Sequence, residues 1–524
     1  MITLLDYGAG NVRSVINAIE RLGGTVNVVS KPEDVLTAEK LVFPGVGSFG
    51  SMMHILEKKK YVDPLKTFLQ SGKPFFGICL GMQALFESSQ EAPGIHGLGI
   101  LNGCVKRFQI EKSVPHIGWN GVSIKKPSPI FKEAAGDEKF YFVHSYYVVP
   151  EDRDVILTTT DYGVAFVSSV ECSGITGTQF HPEKSGEPGL TLLKNFIADA
   201  EPASMPERIT LRTELAKRII ACLDVRANDQ GDLVVTKGDQ YDVREKGAVR
   251  NLGQPVDLAA RYYTEGADEI TFLNITGFRD FPLEDMPMLK VLEETSQRVF
   301  VPLTIGGGIR DYVDKDGRQY TALEVASEYF RSGADKISIG SDAVLIAEAF
   351  LKRGEKSGRS AIEEISRVYG NQAVVISIDP RRVYVNSPRE TSHPVVETAI
   401  SGPAGERYCW FQCTIKGGRE GRDMDAATLA RVCEELGAGE ILLNCIDRDG
   451  TNSGFDIELI NAVRGAVSIP VIASSGAGCV EHFYNVFTET EAEAALAAGI
   501  FHRREVPIAD VKTHLYEQGI PVRI

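Results

Sequence analysis

The C-terminal part of the chain, residues 217–524, is written in one repeating unit: a short apolar, β-favouring stretch, a turn, then a run with helical periodicity. Eight strands can be read in order, RIIACLDV, DEITFLNI, VPLTIGG, KISIG, AVVISID, EILLNCI, PVIASSG and AALAAGIF. Parallel neighbours can be reached only by a crossover, so strands alternating with helices predict a parallel sheet, and eight of them close into a (β/α)8 barrel. A longer repeat is laid over the first. GADEITFLNIT from residue 266 returns as GAGEILLNCID from 437, and VPLTIGGG from 301 returns as IPVIASSG from 469. Two half-barrels joined in one chain imply a pseudo-twofold axis, so chemistry on the first strand has a counterpart on the fifth. Asp224 in ACLDV and Asp379 in ISIDP stand at those two strand ends. The surplus over an ordinary barrel falls in the polar stretches DYVDKDGRQ (311–319) and RRVYVNSPRETSHP (381–394), expected as surface loops.

Upstream, TLLDY (3–7) and KLVFPG (40–45) alternate with helical runs such as VRSVINAIERLGG (12–24), which predicts a doubly wound α/β domain over residues 1–200. The stretch EPASMPERITLRTEL is polar and carries prolines, placing a linker at 201–216 and the barrel at 217–524. Two domains are also what 524 residues require, since a single core stops growing at about 250–300. With 43% apolar and 24% charged residues the composition is that of a globular, soluble protein. A net charge of −15 excludes a general nucleic-acid footprint and favours small anionic substrates held in local pockets. No apolar run spans a membrane and no leader pattern opens the chain, so a cytoplasmic setting is expected. Nine cysteines, an odd number without a CxxC pair, suggest neither disulfides nor a metal site, and no cofactor is expected.

One cysteine is placed differently from the rest. In FFGICLGMQALF (75–86) Cys79 lies between Gly77 and Gly81, where an apolar strand gives way to a helix. That is how a fold lifts a nucleophile to a helix N-terminus, whose partial positive charge favours the thiolate. TQFHPEKSG (178–186) supplies a base: on an extended strand His181 and Glu183 face the same way, so the carboxylate can orient the ring that takes the thiol proton. PGVGSFG (44–50) adds a glycine-rich strand end whose backbone N–H groups, at Gly45, Val46 and Gly47, can hold an oxyanion.

GICLGMQALF, TQFHPEKSG and PGVG together resemble the class I glutamine amidotransferases, whose glutaminase domain is flavodoxin-like. The resemblance implies hydrolysis of the glutamine side-chain amide through a thioester on Cys79, with His181 as base and acid, Glu183 as its orienter and ammonia as the useful product.

A twofold barrel can offer two anion sites, as glycine-rich loops opening helices on opposite sides of its C-terminal face. Gly307, Gly308, Gly340 and Ser341 form one candidate site; Gly476, Ala498 and Gly499 form the other. An acid and a base on opposed strands, Asp224 and Asp379, can move protons on two sides of a substrate, in either order. The series KRIIACLDV, VVTKGDQYD, LTIGGGIR, IDRDGTNSG and IASSGAG, with PHIGWN and YFVHSYY upstream, resembles the fused, eukaryotic form of the imidazole glycerol phosphate synthases. That family implies a step of histidine biosynthesis in which glutamine-derived ammonia converts phosphoribulosyl-formimino-aminoimidazole carboxamide ribonucleotide to imidazole glycerol phosphate and 5-aminoimidazole-4-carboxamide ribonucleotide. By the same resemblance Asp224 is the main acid/base, and Lys237 and Asp449 contact substrate. Asn444 and Ser475 depart from the family pattern, with Asn444 retained as a substrate contact.

Arg218, Glu269, Lys336 and Glu440 begin four strands at the opposite, lower end of the barrel. Read by themselves they are a stability cluster; the family implies a gate for ammonia, with Lys184 and Asp335 bridging the domains. The partners implied are glutamine and a bis-phosphorylated ribonucleotide, with no nucleic acid, no membrane and a monomeric chain. A glutaminase fused to a different sugar-phosphate isomerase-type barrel is the competing reading. A catalytically silent first domain is a third reading, which an intact Cys79, His181 and Glu183 oppose.

Overall fold

The computed structural model describes residues 1–8, 10–134, 136–198, 213–228, 232–236, 244–245, 248–249, 251–275, 283, 287–314 and 316–524. The expected linker therefore lies largely outside the described residues, as does Lys237.

The N-terminal domain is built on a mixed sheet. Its parallel half runs through the strands Val26–Val28, Ile2–Leu4, Leu41–Gly45, Phe75–Cys79 and Ile175–Thr178. Ala165–Cys172, Tyr146–Pro150 and Gly103–Arg107 continue it antiparallel. Phe75–Cys79 is buried at every position, which is why it reads as an unbroken apolar run: helices cover both faces of a parallel sheet. Cys79 pairs in register with Gly45, so the cysteine and the glycine-rich strand end emerge side by side at the C-terminal edge of the sheet, where doubly wound folds bind ligands.

The eight strands of the second domain are Arg218–Ala227, Glu269–Asn274, Leu303–Gly306, Lys336–Ile339, Val374–Ile378, Glu440–Asn444, Val471–Ser474 and Ala494–Ala497. Each pairs in parallel with the next, and Arg218–Ala221 pairs with Ala494–Ala497 to close the barrel. Alternation along a strand then decides where each functional residue goes. Ile220, Cys222, Val375, Leu442, Ile472, Ala494 and Leu496 form a small apolar cluster of their own, the barrel interior. Stepping by two along the first strand leads from Arg218 at the bottom through Ile220 and Cys222 to Asp224 at the top. The sixth runs likewise from Glu440 through Leu442 to Asn444.

The second polar insertion differs from expectation. Residues 380–385 are a strand, not a surface loop, and join Val396–Glu397, Tyr408–Ile415 and Glu420–Asp425 in a four-stranded antiparallel sheet. Arg382 is the reason this polar segment folds against the barrel. Its backbone N–H donates to Asp447 Oδ2 at 2.7 Å, and its guanidinium forks onto Asp456 at 2.8 and 2.6 Å and reaches Glu458 Oε2 at 2.9 Å. The first insertion also carries a short hairpin, Tyr312–Val313 with Gln319–Tyr320.

The N-terminal domain docks on the lower face of the barrel. Asn11 Nδ2 donates to the Gly333 carbonyl and to Asp335 Oδ1, both at 2.8 Å, and Trp119 Nε1 donates to the Asp268 carbonyl at 3.1 Å. Arg523 lies 4.2 Å from the centre of the Trp119 ring. Among the described residues no helix is long and apolar enough to cross a membrane.

Candidate active sites

The Phe75–Cys79 strand passes directly into the Leu80–Gln83 helix, and the sharp turn falls on Cys79 itself, at φ 54° and ψ −105°. The flanking glycines do not supply that positive φ. They permit close approach: a Cβ on Gly81 would stand 2.0 Å from the Phe43 carbonyl oxygen, and one on Gly77 2.7 Å from the Gly81 backbone. Gly45 meets the same elbow, where a Cβ would lie 2.4 Å from that of Leu80. A non-glycine residue forced into such a conformation stores strain, and the packing of three glycines around it is what holds the buried thiol at the sheet edge.

His181 Nδ1 lies 2.8 Å from Glu183 Oε1, both side chains buried. The pairing is as expected, but the geometry is not that of a strand: His181 caps a 3-10 turn over Pro182–Lys184, which folds the carboxylate back onto the ring. Burial alone would lower the His181 pKa. The Glu183 charge and hydrogen bonds to Cys79 and Glu183 outweigh it and raise it to about 10, so the ring is held as an imidazolium beside the thiol. Gln179 Nε2 donates to Cys79 Sγ at 3.3 Å, and Gln83 Nε2 to Gln179 Oε1 at 3.0 Å.

Val46 is fixed by the Tyr7 hydroxyl, which donates to its carbonyl. Gly47, at φ 122°, leaves no room for a side chain, since a Cβ would lie 2.8 Å from the Val368 carbonyl of the barrel. Ser48 donates to the carbonyls of Val368, through N at 3.3 Å, and Arg367, through Oγ at 2.9 Å. The glycine-rich segment of the first site thus rests on the second domain.

At the top of the barrel a cavity of about 140 Å³ is lined by Asp224, Asp449, Ser475, Gly476, Ala498, Gly499 and neighbours. Gly476 is left-handed at φ 98°, with a Cβ position 2.2 Å from the Gly454 carbonyl, and the departure at Ser475 proves to sit in the same backbone region at φ 73°. Across the barrel, Gly307 (φ 93°) and Gly308 (φ 77°) follow the third strand, while Gly340 caps the Ser341–Arg353 helix after the fourth. Asp379 follows the fifth strand. Burial raises its carboxyl above the usual range; a hydrogen bond from Asn444 opposes this and the nearby Asp449 charge adds to it. Asn444 Nδ2 donates to Asp379 Oδ1 at 2.8 Å and to Ser377 Oγ at 3.0 Å, so its amide hydrogens are spent on the acid and its strand.

At the bottom Arg218, Glu269, Lys336 and Glu440 form a closed, fully buried ring. Arg218 bridges Glu269 at 2.9 Å and Glu440, and Lys336 bridges Glu269 at 2.7 Å and Glu440 at 2.6 Å. Burial would raise the Glu440 carboxyl, but the two cations hold it below its ordinary value. Lys184 Nζ contacts Asp335 Oδ2 at 2.7 Å across the domain boundary.

Several residues near these sites were not singled out individually in the sequence. Gln179 and Gln83 lie within stretches already read for their cysteine and histidine. Glu91, whose burial pushes its carboxyl up to about 7 and which accepts the Phe49 N–H at 2.9 Å, has no local pattern. His116 and His144 stack in an aromatic cluster with ring nitrogens 3.1 Å apart; burial lowers both, His144 to about 3, and keeps them neutral.

A thiol, an imidazolium and a carboxylate at the edge of a doubly wound sheet, docked under a barrel with opposed acids at its top, define an amidotransferase that carries its ammonia-accepting enzyme in the same chain. Residues 3–200 match the family Glutamine amidotransferase class-I, and residues 218–507 match the family Histidine biosynthesis protein. Over its whole length the chain is 57% identical to the chloroplastic imidazole glycerol phosphate synthase hisHF of Arabidopsis thaliana, of which it covers 90%. It is 54% identical to the imidazole glycerol phosphate synthase hisHF of Schizosaccharomyces pombe, with all of both chains aligned. The HisF subunit of Methanosphaera stadtmanae aligns with 59% of the chain at 43% identity. The chain belongs to the fused imidazole glycerol phosphate synthase family: it is a bifunctional enzyme of histidine biosynthesis, a glutaminase and a cyclase in one polypeptide.

Proposed function

We propose that the family's two reactions are carried in this chain by two residue sets at opposite ends of one axis, within domains bounded at 1–200 and 217–524. In the first, Cys79 Sγ attacks the side-chain amide carbon of glutamine, and the tetrahedral oxyanion is met by backbone N–H groups of Gly45, Val46 and Gly47. The C–N bond breaks as His181 gives its proton to the leaving nitrogen, releasing ammonia and a thioester. A water that loses its proton to His181 then frees glutamate, and Glu183 holds the ring throughout. Gln83, buried beside the elbow, and Glu91, partly buried against the Phe49 N–H, are suited to the amino-acid end of glutamine.

Ammonia passes the ring of Arg218, Glu269, Lys336 and Glu440 into the barrel interior, whose apolar lining keeps it from being protonated and diluted. At the top the nucleotide lies with one phosphate on Gly307, Gly308, Gly340 and Ser341, and the other on Gly476, Ala498 and Gly499. Asp224 and Asp379 exchange protons with the substrate as ammonia adds, water leaves, the imidazole closes and the C–N bond to the aminoimidazole carboxamide breaks. Asp449, which shares the cavity with Asp224, contacts the substrate, as do Lys237 and the side-chain oxygen of Asn444. Lys184 and Asp335 couple the two halves. The chain works as a cytoplasmic monomer without nucleic acid, since both activities are covalently joined.

The observation that carries this reading is the alternation that strings Arg218, Ile220, Cys222 and Asp224 along one inward face, joining the docked glutaminase to the acid site. Its test is Cys79→Ala supplied with the nucleotide and either glutamine or ammonium salt at raised pH. Product from ammonium and none from glutamine is expected; failure with both, while the intact protein hydrolyses glutamine, removes the assignment of the barrel.

A further inference from the structure

Asp379 is held at both ends, its carboxyl by side chains of the barrel strands and its carbonyl by a residue from outside them. Its carboxyl takes a hydrogen bond from Asn444 Nδ2 on the sixth strand. Its carbonyl accepts two from Thr414, the backbone N–H at 3.2 Å and the hydroxyl at 2.6 Å. Thr414 is buried near the end of the Tyr408–Ile415 strand, within the inserted sheet and next to a shift in register with the Glu420–Asp425 strand.

The local chemistry explains the double clamp. Asp379 ends a barrel strand, so its carbonyl has no further barrel neighbour to accept from, and an unmet carbonyl beside a reacting carboxyl leaves the residue free to turn about its backbone. Pro380 follows and fixes the chain direction but donates nothing. Thr414 supplies both missing donors from one residue. The inserted sheet that presents it is in turn anchored by the Arg382 fork on Asp456, so the clamp rests on a rigid element.

We infer that Thr414 is a positioning residue for the cyclase reaction, acting through the Asp379 carbonyl to hold the Asp379 carboxyl in its reacting orientation. Thr414 does not itself meet the substrate. The inference rests on the reading of Asp379 as an acid or base of the second site, and the experiment separates the two.

The ammonia-dependent reaction is measured at saturating ammonium for Thr414→Val, Thr414→Ser and Asp379→Asn. Valine has the shape of threonine but lacks the hydroxyl, so kcat should fall about tenfold, the worth of one such hydrogen bond, while KM for the nucleotide stays within about twofold. Serine keeps the hydroxyl and should restore kcat to within about twofold of the parent. Wild-type kcat in Thr414→Val with an inactive Asp379→Asn overturns the inference alone; a fully active Asp379→Asn overturns the reading beneath it. An equal loss in the serine and valine variants, or a loss confined to KM, also overturns it, because packing or substrate binding would then be the cause. If Thr414→Val does not fold, Thr414→Ala removes the same hydroxyl without a methyl against the carbonyl and is judged by the same criteria.

Discussion

Cys79 is the residue where local sequence and local geometry agree most closely, yet the agreement has a different cause from the one its neighbours suggest. Glycines beside a cysteine read as suppliers of an unusual φ. In the structure the cysteine takes that φ itself, and the glycines make room for other chains to pack against the elbow. His181 and Glu183 show the same pattern: two residues apart, they share a face on a strand, and the 3-10 turn that the structure has instead brings them together as well. The electrostatics of that pair are testable. The His181 pKa is raised from its ordinary value to about 10, so its protonation contributes stability that is fully present below about 6.5 and is lost as pH rises through about 10. Glu183→Gln removes the carboxylate charge that opposes desolvation and must lower the His181 pKa. The alkaline limb of kcat/KM for glutamine is expected to move to lower pH, measured across pH 6 to 10.5; an unmoved limb would show that Glu183 does not set the charge of the ring.

Strand periodicity carries most of what the elements do. Because inward residues recur every second position, the bottom, middle and top of one strand can be assigned as soon as its ends are known, and the strands were legible from their apolar runs between glycines. The inserted sheet was not legible. RRVYVNSPRETSHP is polar and carries two prolines, and nothing within it announces that its arginine is neutralised by carboxylates more than sixty residues downstream. Arg382 is the keystone of that element: burial opposes its charge, and Asp456 more than compensates and raises its pKa. Arg382→Leu would leave Asp456 buried without its partner, a loss of about 3–5 kcal/mol, seen as a lower urea midpoint for the barrel transition. A variant with an unchanged midpoint would mean that the sheet is held by its apolar face alone.

At the scale of the molecule the two sites are joined by a docking surface that places the ring of four charges between them. Lys184 is almost wholly buried against Asp335, which also accepts the Leu303 N–H and an Asn11 amide hydrogen. Lys184→Met keeps the bulk and removes the charge, so the halves should stay attached yet lose their coupling. The expected signature is glutamate released in excess of imidazole glycerol phosphate, from a ratio of about one in the parent, measured by quantifying both products in one reaction. A ratio that stays at one would place the coupling in the other contacts, such as Trp119 with Asp268 and Arg523.

By itself the sequence determined the two domain types, the eight strands, the placing of Asp224 and Asp379 at strand ends, and the cysteine elbow with its histidine and glutamate. Each of these depends on spacings of a few residues, and the steric rules of strand and turn act at that range. Tertiary structure alone decided that Asn444 would spend its amide on Asp379, that Thr414 would clamp the same aspartate from an inserted sheet, that Arg218 and Lys336 would each bridge both Glu269 and Glu440, and that Gly47 would rest on Val368. Those partners are far apart along the chain. Their meeting follows from closure of the barrel and docking of the two domains, whose free energy is spread over the whole packed interior and leaves no local mark on the residues it brings together.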